Sequence, residues 1–380
     1  MRDIIYCANI DYFRIWQRPQ HLALGLARRR KVLYISPPFS ITDPITSRFW
    51  LSERKGNYSF LARMKEEAEN LYVYSPPLLL PKHINVHTAL NSRIVSRLIR
   101  KHVVSLGLKN PILWLSNPLH VGMLARYGGD AVVYDVMDAY SYFHPAFTWS
   151  RFRAFEDRVI TRANAVFLTT TSLAPRGSEE SSKLTLLPNA VETRTFDPSR
   201  VAGEIDTEVS IISGPRIGFV GYMGRWFDVD AVALAASSHP DWSFILVGPV
   251  HTSIERLKGL SNVHLLGTLP YRRLPYILQG LDVCLLPFKE DKLVTHFDPV
   301  KIYEYLSMEK PVVAYKSDEM KKFEDLCSLY VTTGEMVAAI EKALTQGESA
   351  ESRKKKREFA DENSWENRLE TVEDVLSRFD

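Results

Sequence analysis

The sequence predicts an α/β protein of two doubly wound, Rossmann-like domains that face each other across a cleft. Three observations carry this expectation. The chain has 380 residues, more than one ordinary core organises. Its candidate strands are short, almost continuously apolar runs, as expected where helices cover both faces of a parallel sheet. Those runs alternate with helical patterns, and they do so in two separate series.

In the first series the runs are IIYCAN (4–9), KVLYIS (31–36), NLYVYS (70–75), PILWLS (111–116), AVVYDV (131–136), AVFLTT (165–170) and LTLLPN (184–189). Helical patterns lie over 18–30, 86–107 and 148–163. The second series has strands at 216–222, 242–248, 262–267, 282–288, 310–315 and 329–332. Its helices are expected over 228–238, 272–280, 299–308, 318–326 and 334–346. Residues 192–215 are rich in Pro, Asp, Ser and Gly, lack periodicity and read as an inter-domain linker. The tail reads as two further helices, SRKKKREFADE and WENRLETVEDVLSRF. The expected division is 1–200 and 201–362, with a final helix over about 363–380 packing back on the first domain. Ligands of such sheets bind beyond the carboxyl ends of the strands, and a cleft between two of them is a natural site.

Composition narrows the class. Hydrophobic residues at 45% and charged residues at 24% fit a globular chain and argue against a disordered or fibrous one. Cys7, Cys284 and Cys327 are far apart and form no C-x-x-C pair, which argues against zinc or disulfide frameworks and fits a reducing compartment. The start MRDIIYCANIDYF lacks a signal-peptide pattern, and no apolar run approaches the ~20 residues of a membrane span. A cytoplasmic protein is expected. Charge is uneven. Residues 1–110 hold 18 Lys+Arg and 7 Asp+Glu, a balance of +11, against −8 for the rest. A basic first part can face an anionic membrane surface, a polyanion or an acidic substrate, or can simply be a solvated surface. The segment HINVHTALNSRIVSRLIRKHVVSLGL (83–108) sharpens this. Ile94, Val95 and Leu98 share one helical side with Arg93, Arg97, Arg100 and Lys101 nearby, so the helix reads either as interfacial or as packed on the sheet.

The chemistry concentrates in HFDPVKIYEYLSMEKPVVAY (296–315). Asp298 is placed as an N-cap and Pro299 as the first helical residue, so the free N–H groups near Val300 favour a phosphate. Lys301, in the first turn, can pair with a diphosphate, and Glu304 shares its face, where a carboxylate can accept from ribose hydroxyls. The alternative is a capped surface helix with a Lys301–Glu304 pair. In IGFVGYMGR (217–225), Gly218, Gly221 and Gly224 follow a strand at a spacing that fails the dehydrogenase signature. This turn serves either ligand approach or packing. In LVGP (246–249), Gly248 permits close approach. DVD (228–230) opens a helix and reads as a cap, not as a metal motif. In YDVMD (134–138), alternation sends Asp135 and Asp138 to different sides. Asp138, nearer the strand's end, is the candidate general base, with a loop cap as its rival role. Arg14, Arg18, Gln20 and His21 start the first helix and are candidates for acceptor or phosphate contacts, or for a solvated face.

DPVKIYEYLSMEKPVV resembles the donor-binding helix of GT-B glycosyltransferases, which follows a strand ending in proline, here VCLLPF. Upstream, IGFVGYMGRWFDVDAV, SFILVGP and VHLLGTLPYRRLPYILQGLDVCLLPF match in order. DYFRIWQRPQHLALGLARRRKVLYISPP (11–38) and VVYDVMDAYSYF (132–143) narrow the resemblance to the enzymes of teichuronic acid and related surface-polysaccharide pathways. It covers nearly the whole chain. It implies sugar transfer from a nucleotide-sugar to a hydroxyl of a glycan or lipid-linked acceptor, without metal or other cofactor and without nucleic acid. It implies donor contacts at Gly221, Tyr222, Gly224, Gly248, Pro249, Leu269, His296, Asp298, Pro299, Val300 and Glu304. Lys301 and Arg225 would meet the diphosphate, Asp138 would act as base, and Arg18, Gln20 and His21 would lie on the acceptor side. One departure stands out. Many retaining members carry E-x7-E, and here His296 occupies the place of the first glutamate. Rival readings are a catalytically silent nucleotide-sugar-binding subunit of an assembly complex, or a non-transferring GT-B enzyme such as a sugar-nucleotide epimerase. The implied location is the cytoplasm, with peripheral binding to the inner face of the membrane.

Overall fold

Burial decides where each strand forms. The computed structural model describes residues 1–37, 62–77, 85–127, 131–143, 148–175 and 182–380, with backbone alone over 85–92. The chain forms two units, Met1–Leu187 with Leu369–Asp380, and Pro188–Arg368.

The first unit is built on an eight-stranded sheet in the order β3-β4-β2-β1-β5-β6-β7-β8. These strands are β1 (Ile4–Cys7), β2 (Val32–Ile35), β3 (Arg63–Ala68), β4 (Leu71–Ser75), β5 (Ile112–Leu115), β6 (Val132–Val136), β7 (Ala165–Leu168) and β8 (Leu184–Leu186). All neighbours pair in parallel except β3 with β4. Every residue of β1, β2, β5, β6 and β7 is buried, which explains their unbroken apolar character. Tyr34, Tyr6 and Trp114 stand in register on adjacent strands and stack at 5.5 and 5.2 Å between ring centroids. Helices α1 (Arg18–Ala27), α2 (Asn85–Ser105) and α3 (Trp149–Arg162) occupy the three predicted positions. On α2, Val95 and Ile99 are buried and Ile94 and Leu98 pack against the sheet's core. The apolar side of this helix is therefore already covered, and the interfacial reading, in which that side enters lipid, is corrected. Positions 83 and 84 of that segment lie outside the described residues.

The second unit has a fully parallel six-stranded sheet in the order β11-β10-β9-β12-β13-β14. The strands are β9 (Arg216–Val220), β10 (Ser243–Val247), β11 (Val263–Gly267), β12 (Val283–Leu286), β13 (Val312–Tyr315) and β14 (Ser328–Tyr330). This is the doubly wound order, and strand direction of travel reverses between β9 and β12, beyond whose carboxyl ends a ligand is expected. The helices are α4 (Val229–Ser238), α5 (Leu274–Gln279), α6 (Val300–Ser307), α7 (Thr333–Gln346), α8 (Ala350–Glu362) and α9 (Trp365–Leu376). α9 begins in the second unit and ends in the first.

Three expectations change. Residues 192–215 are not a free linker, because Phe196, Val201 and Val209 are buried in the second unit's core. The chain changes unit at Leu187/Pro188 instead. β3 was not anticipated, since RMKEEA is mostly exposed and charged, as suits an edge strand. Over 318–326 only a 3-10 turn forms, Glu319–Phe323. Asp228 does cap α4, accepting from the Ala231 N–H at 2.9 Å.

Candidate active site

The start of α6 is the chemical centre of the second unit. Pro299, not Asp298, is its N-cap residue, and no side chain caps the helix. Asp298 is engaged elsewhere. Its carboxylate accepts from the Asn189 N–H at 2.6 Å, the Tyr303 hydroxyl at 2.8 Å and the Lys322 ammonium at 2.8 Å. The expected cap is thus a buried brace that fixes the chain before the helix. The first turn keeps unsatisfied N–H groups and its positive dipole end.

One turn on, Lys301 Nζ donates to Glu304 Oε2 at 3.0 Å. The pair is not a solvated surface pair, since Glu304 is 1% and Lys301 15% exposed. Burial pushes the Glu304 carboxyl up, and Lys301 pulls it the other way. Glu304 Oε1 is buried with no hydrogen-bond partner. An orphaned carboxylate oxygen in a buried setting is costly unless a ligand donates to it. The Tyr271 hydroxyl belongs to the same locality. Burial raises it well above its ordinary value, followed by the charges of Glu304 and Glu192. Sequence reasoning missed Glu192, because it lies in the stretch read as linker.

The loop after β9 lies against this helix start. Tyr222 stacks on His251 at 4.1 Å and on Trp226 at 5.6 Å, and Trp226 meets Phe297 edge-on at 5.2 Å. Phe297 sits between His296 and Asp298, so the aromatic chain joins the two loops. Trp226, His251 and Phe297 were not anticipated. Their signal is the pattern of aromatics beside each motif. The glycines answer to packing. A Cβ on Gly218 would strike Leu281, one on Gly221 would reach Phe219, and one on Gly224 would meet Trp226. Gly248 is a different case, with φ +132 and an ideal Cβ only 1.9 Å from the Gly221 carbonyl oxygen. The two loops thus touch through bare backbone, held by Gly221 N–H to Val247 O at 2.8 Å and Met223 N–H to Pro249 O at 3.0 Å. Gly248 N–H donates to Gly267 O at 2.7 Å, which brings in the chain leading to Leu269. Leu269 packs on the core. Arg225, half exposed, pairs with Asp291 at 3.0 Å. His296 ends a 3-10 turn (Val294–His296), and burial lowers its pKa, favouring the neutral imidazole.

In the first unit, Asp138 follows the end of β6. The residue is half-buried, and desolvation raises its carboxyl to about 7. Among the described residues no side-chain hydrogen bond holds that carboxyl. Asp135, within the strand, behaves otherwise. It is buried and takes a bidentate contact from Arg18, Nε at 3.1 Å and Nη2 at 2.8 Å. Arg18 also donates to Leu187 O at 2.8 Å. Gln20 is buried and donates to Ile15 O at 3.0 Å, and His21 Nδ1 accepts from Trp16 at 3.2 Å. Arg18, Gln20 and His21, expected on the acceptor side, tie the loop after β1 to α1 and β6.

Residues 214–346 match the family described as glycosyl transferases group 1. The chain is 24% identical over 353 residues to TuaH of Bacillus subtilis (strain 168), described as a teichuronic acid biosynthesis glycosyltransferase, covering 80% of this chain and 88% of that protein. Its structure is similar to sucrose-phosphate synthase of Thermosynechococcus elongatus, at TM-score 0.75 and 14% identity over 100% of this chain and 99% of the other. It is also similar to Anabaena HepE in complex with UDP and glucose, at TM-score 0.67 and 13% identity over 99% and 100%. The chain is a glycosyltransferase of the GT-B fold, with its group 1 transferase domain in residues 214–346.

Proposed function

We propose that this chain moves a sugar from a nucleotide-sugar to a hydroxyl of a glycan or lipid-linked acceptor in cell-surface polysaccharide synthesis. The observation that carries the donor site is the buried Glu304 carboxylate with Oε1 unsatisfied, beside Lys301 at an uncapped helix start. Ribose hydroxyls donate to Oε1. The diphosphate meets the first-turn N–H groups and Lys301, and Arg225 joins it by exchanging Asp291 for phosphate oxygens. The loops carrying Gly221, Tyr222, Gly224, Gly248, Pro249 and Leu269 line the nucleotide, and His296 lies beside the sugar. The hard step is departure of the nucleoside diphosphate, and these fixed positive groups stabilise its growing charge. Asp138 accepts the acceptor hydroxyl's proton, for which a pKa near the working pH is suited. No metal or further cofactor takes part.

Release of nucleoside diphosphate from a panel of nucleotide-sugars tests the reading, with UDP-sugars first because HepE carries UDP and glucose. Turnover is expected to persist in excess chelator. Lys301→Ala and Glu304→Gln are each expected to weaken donor binding about tenfold or more, at ~1.5–3 kcal/mol per charge-assisted bond, without a matching loss of stability. Unchanged donor affinity in both variants overturns the site.

The protein works in the cytoplasm at the inner face of the membrane, held there by charge. No helix among the described residues is long and apolar enough to cross a membrane. Arg93, Arg97, Arg100 and Lys101 are exposed on α2, and each basic group near an anionic leaflet contributes about 1 kcal/mol. Sedimentation with anionic but not neutral vesicles, lost at high salt, is the expected result. Equal sedimentation with both lipid types would point to a soluble acceptor.

A further inference from the structure

A cavity of about 470 Å³ in the first unit is lined by Arg93, Arg97, Arg100 and Arg126 together with Ser96 and Tyr127. Three of these arginines recur along one side of α2, at the spacing of successive turns. Like charges so placed destabilise a helix by a few tenths of a kcal/mol per pair. Among the described residues no carboxylate forms an ion pair with Arg93, Arg97 or Arg100. The fourth arginine comes from the short helix Leu124–Tyr127 and is held in place, Arg126 Nη1 donating to Ser96 Oγ at 3.2 Å. The Tyr127 hydroxyl donates to the Ser96 carbonyl, fixing the second wall against α2. Burial raises the Tyr127 hydroxyl, and the charges of Arg100 and Arg126 pull it the other way.

We propose that this cavity is a binding site for a phosphate ester, mono- or diphosphate, whose oxygens are gripped by Arg97 with Arg93, Arg100 and Arg126 around it. Guanidinium groups suit this ligand because their paired N–H donors match two phosphate oxygens at once. Lysines on a merely basic face would not gain from that geometry. The cavity belongs to the first unit and α6 to the second, and the proposal assigns the cavity a phosphate other than the donor's. That phosphate belongs either to a lipid headgroup or to a soluble phosphorylated compound. The inference stands independently of the transferase reading.

Calorimetric titration of the full chain with inorganic pyrophosphate tests it. One binding event is expected to survive Lys301→Ala and to weaken about tenfold in Arg97→Lys and in Arg126→Ala, with circular dichroism unchanged. Arg97→Lys keeps the charge, so its loss reports the paired-donor geometry. Vesicles of phosphatidylcholine carrying phosphatidic acid, compared with charge-matched phosphatidylserine vesicles, separate the sources. A lipid ligand shows as binding to phosphatidic acid that Arg97→Lys weakens selectively. A soluble ligand shows as pyrophosphate binding lost with no change on either vesicle. Pyrophosphate binding abolished by Lys301→Ala and untouched by Arg97→Lys and Arg126→Ala overturns the proposal. Loss of donor turnover in Lys301→Ala, with pyrophosphate binding kept, leaves the two readings distinguishable.

Discussion

Asp135 and Asp138 are three residues apart and have opposite fates. The alternation of β6 predicted their divergence, but not the partner that Asp135 takes. Arg18 lies 117 positions away and meets it as a buried, bidentate pair. Removing one partner of such a pair leaves an uncompensated charge, so the pair reads as support for the loop after β1. Asp138 has a desolvated carboxyl raised to about 7. As a base it must be ionised, so turnover is expected to rise with pH through about 7. Asp138→Asn is expected to lower turnover by about 10²–10⁴-fold with donor affinity nearly intact, and to flatten that limb of the profile. The stability sign is opposite. The folded carboxyl holds its proton to higher pH than the unfolded one, so its contribution falls as pH rises from the ordinary value of 3.8 to about 7. Asp138→Asn is therefore expected to melt no lower than the wild type at pH 8. A lower melting temperature there, with donor binding lost, would reassign Asp138 to fold support.

At the scale of elements, the strands buried on both sides were legible because nothing but apolar side chains fits there. β3 was not legible, since an edge strand answers to solvent and its sequence is charged. The helix expected over 318–326 reduces to a 3-10 turn anchored by buried Met320 and Phe323. Loop glycines carried an ambiguity that spacing could not resolve, because ligand approach and packing ask for the same residue. Gly248 shows the difference. A methyl there would overlap the Gly221 carbonyl, which is backbone and cannot swing aside, and the positive φ adds strain. Gly248→Ala is expected to cost about 3 kcal/mol, read as a lowered denaturation midpoint, and to weaken donor binding by parting the loops after β9 and β10. Gly334, within α7 and facing open space, is the control. Gly334→Ala is expected to be neutral or to gain about 0.5–1 kcal/mol from helix propensity. Equal effects of the two substitutions would mean that the loop contact carries no stability.

At the scale of the whole molecule, the two-series pattern predicted two sheets, and the motif order within the second is that of the family its residues 214–346 match. What stayed hidden were contacts between residues far apart in the chain. Glu192 and Tyr271 beside Glu304 are one case. The end of the chain is another. A final helix was expected, but its amphipathic pattern does not name the surface it covers. In the first unit Leu369 fills the notch over Gly25, where even a methyl would come within 2.0 Å of its side chain. Val372, Val375 and Leu376 are buried. Arg30, itself buried, pairs with Glu373 and lies 3.5 Å from Asp380. Three such apolar side chains are worth roughly 1.5–3 kcal/mol each on burial, and Arg30 would lose both counter-charges. Deleting 369–380 is therefore expected to destabilise the first unit by several kcal/mol, a large part of a domain's total stability. Hydrogen exchange checks this by unit. Peptides from β1, β2 and α1 are expected to lose protection, while those from β9, β10 and β12 keep theirs. Unchanged protection in the first unit would show that the terminal helix is an appendage and not part of its core.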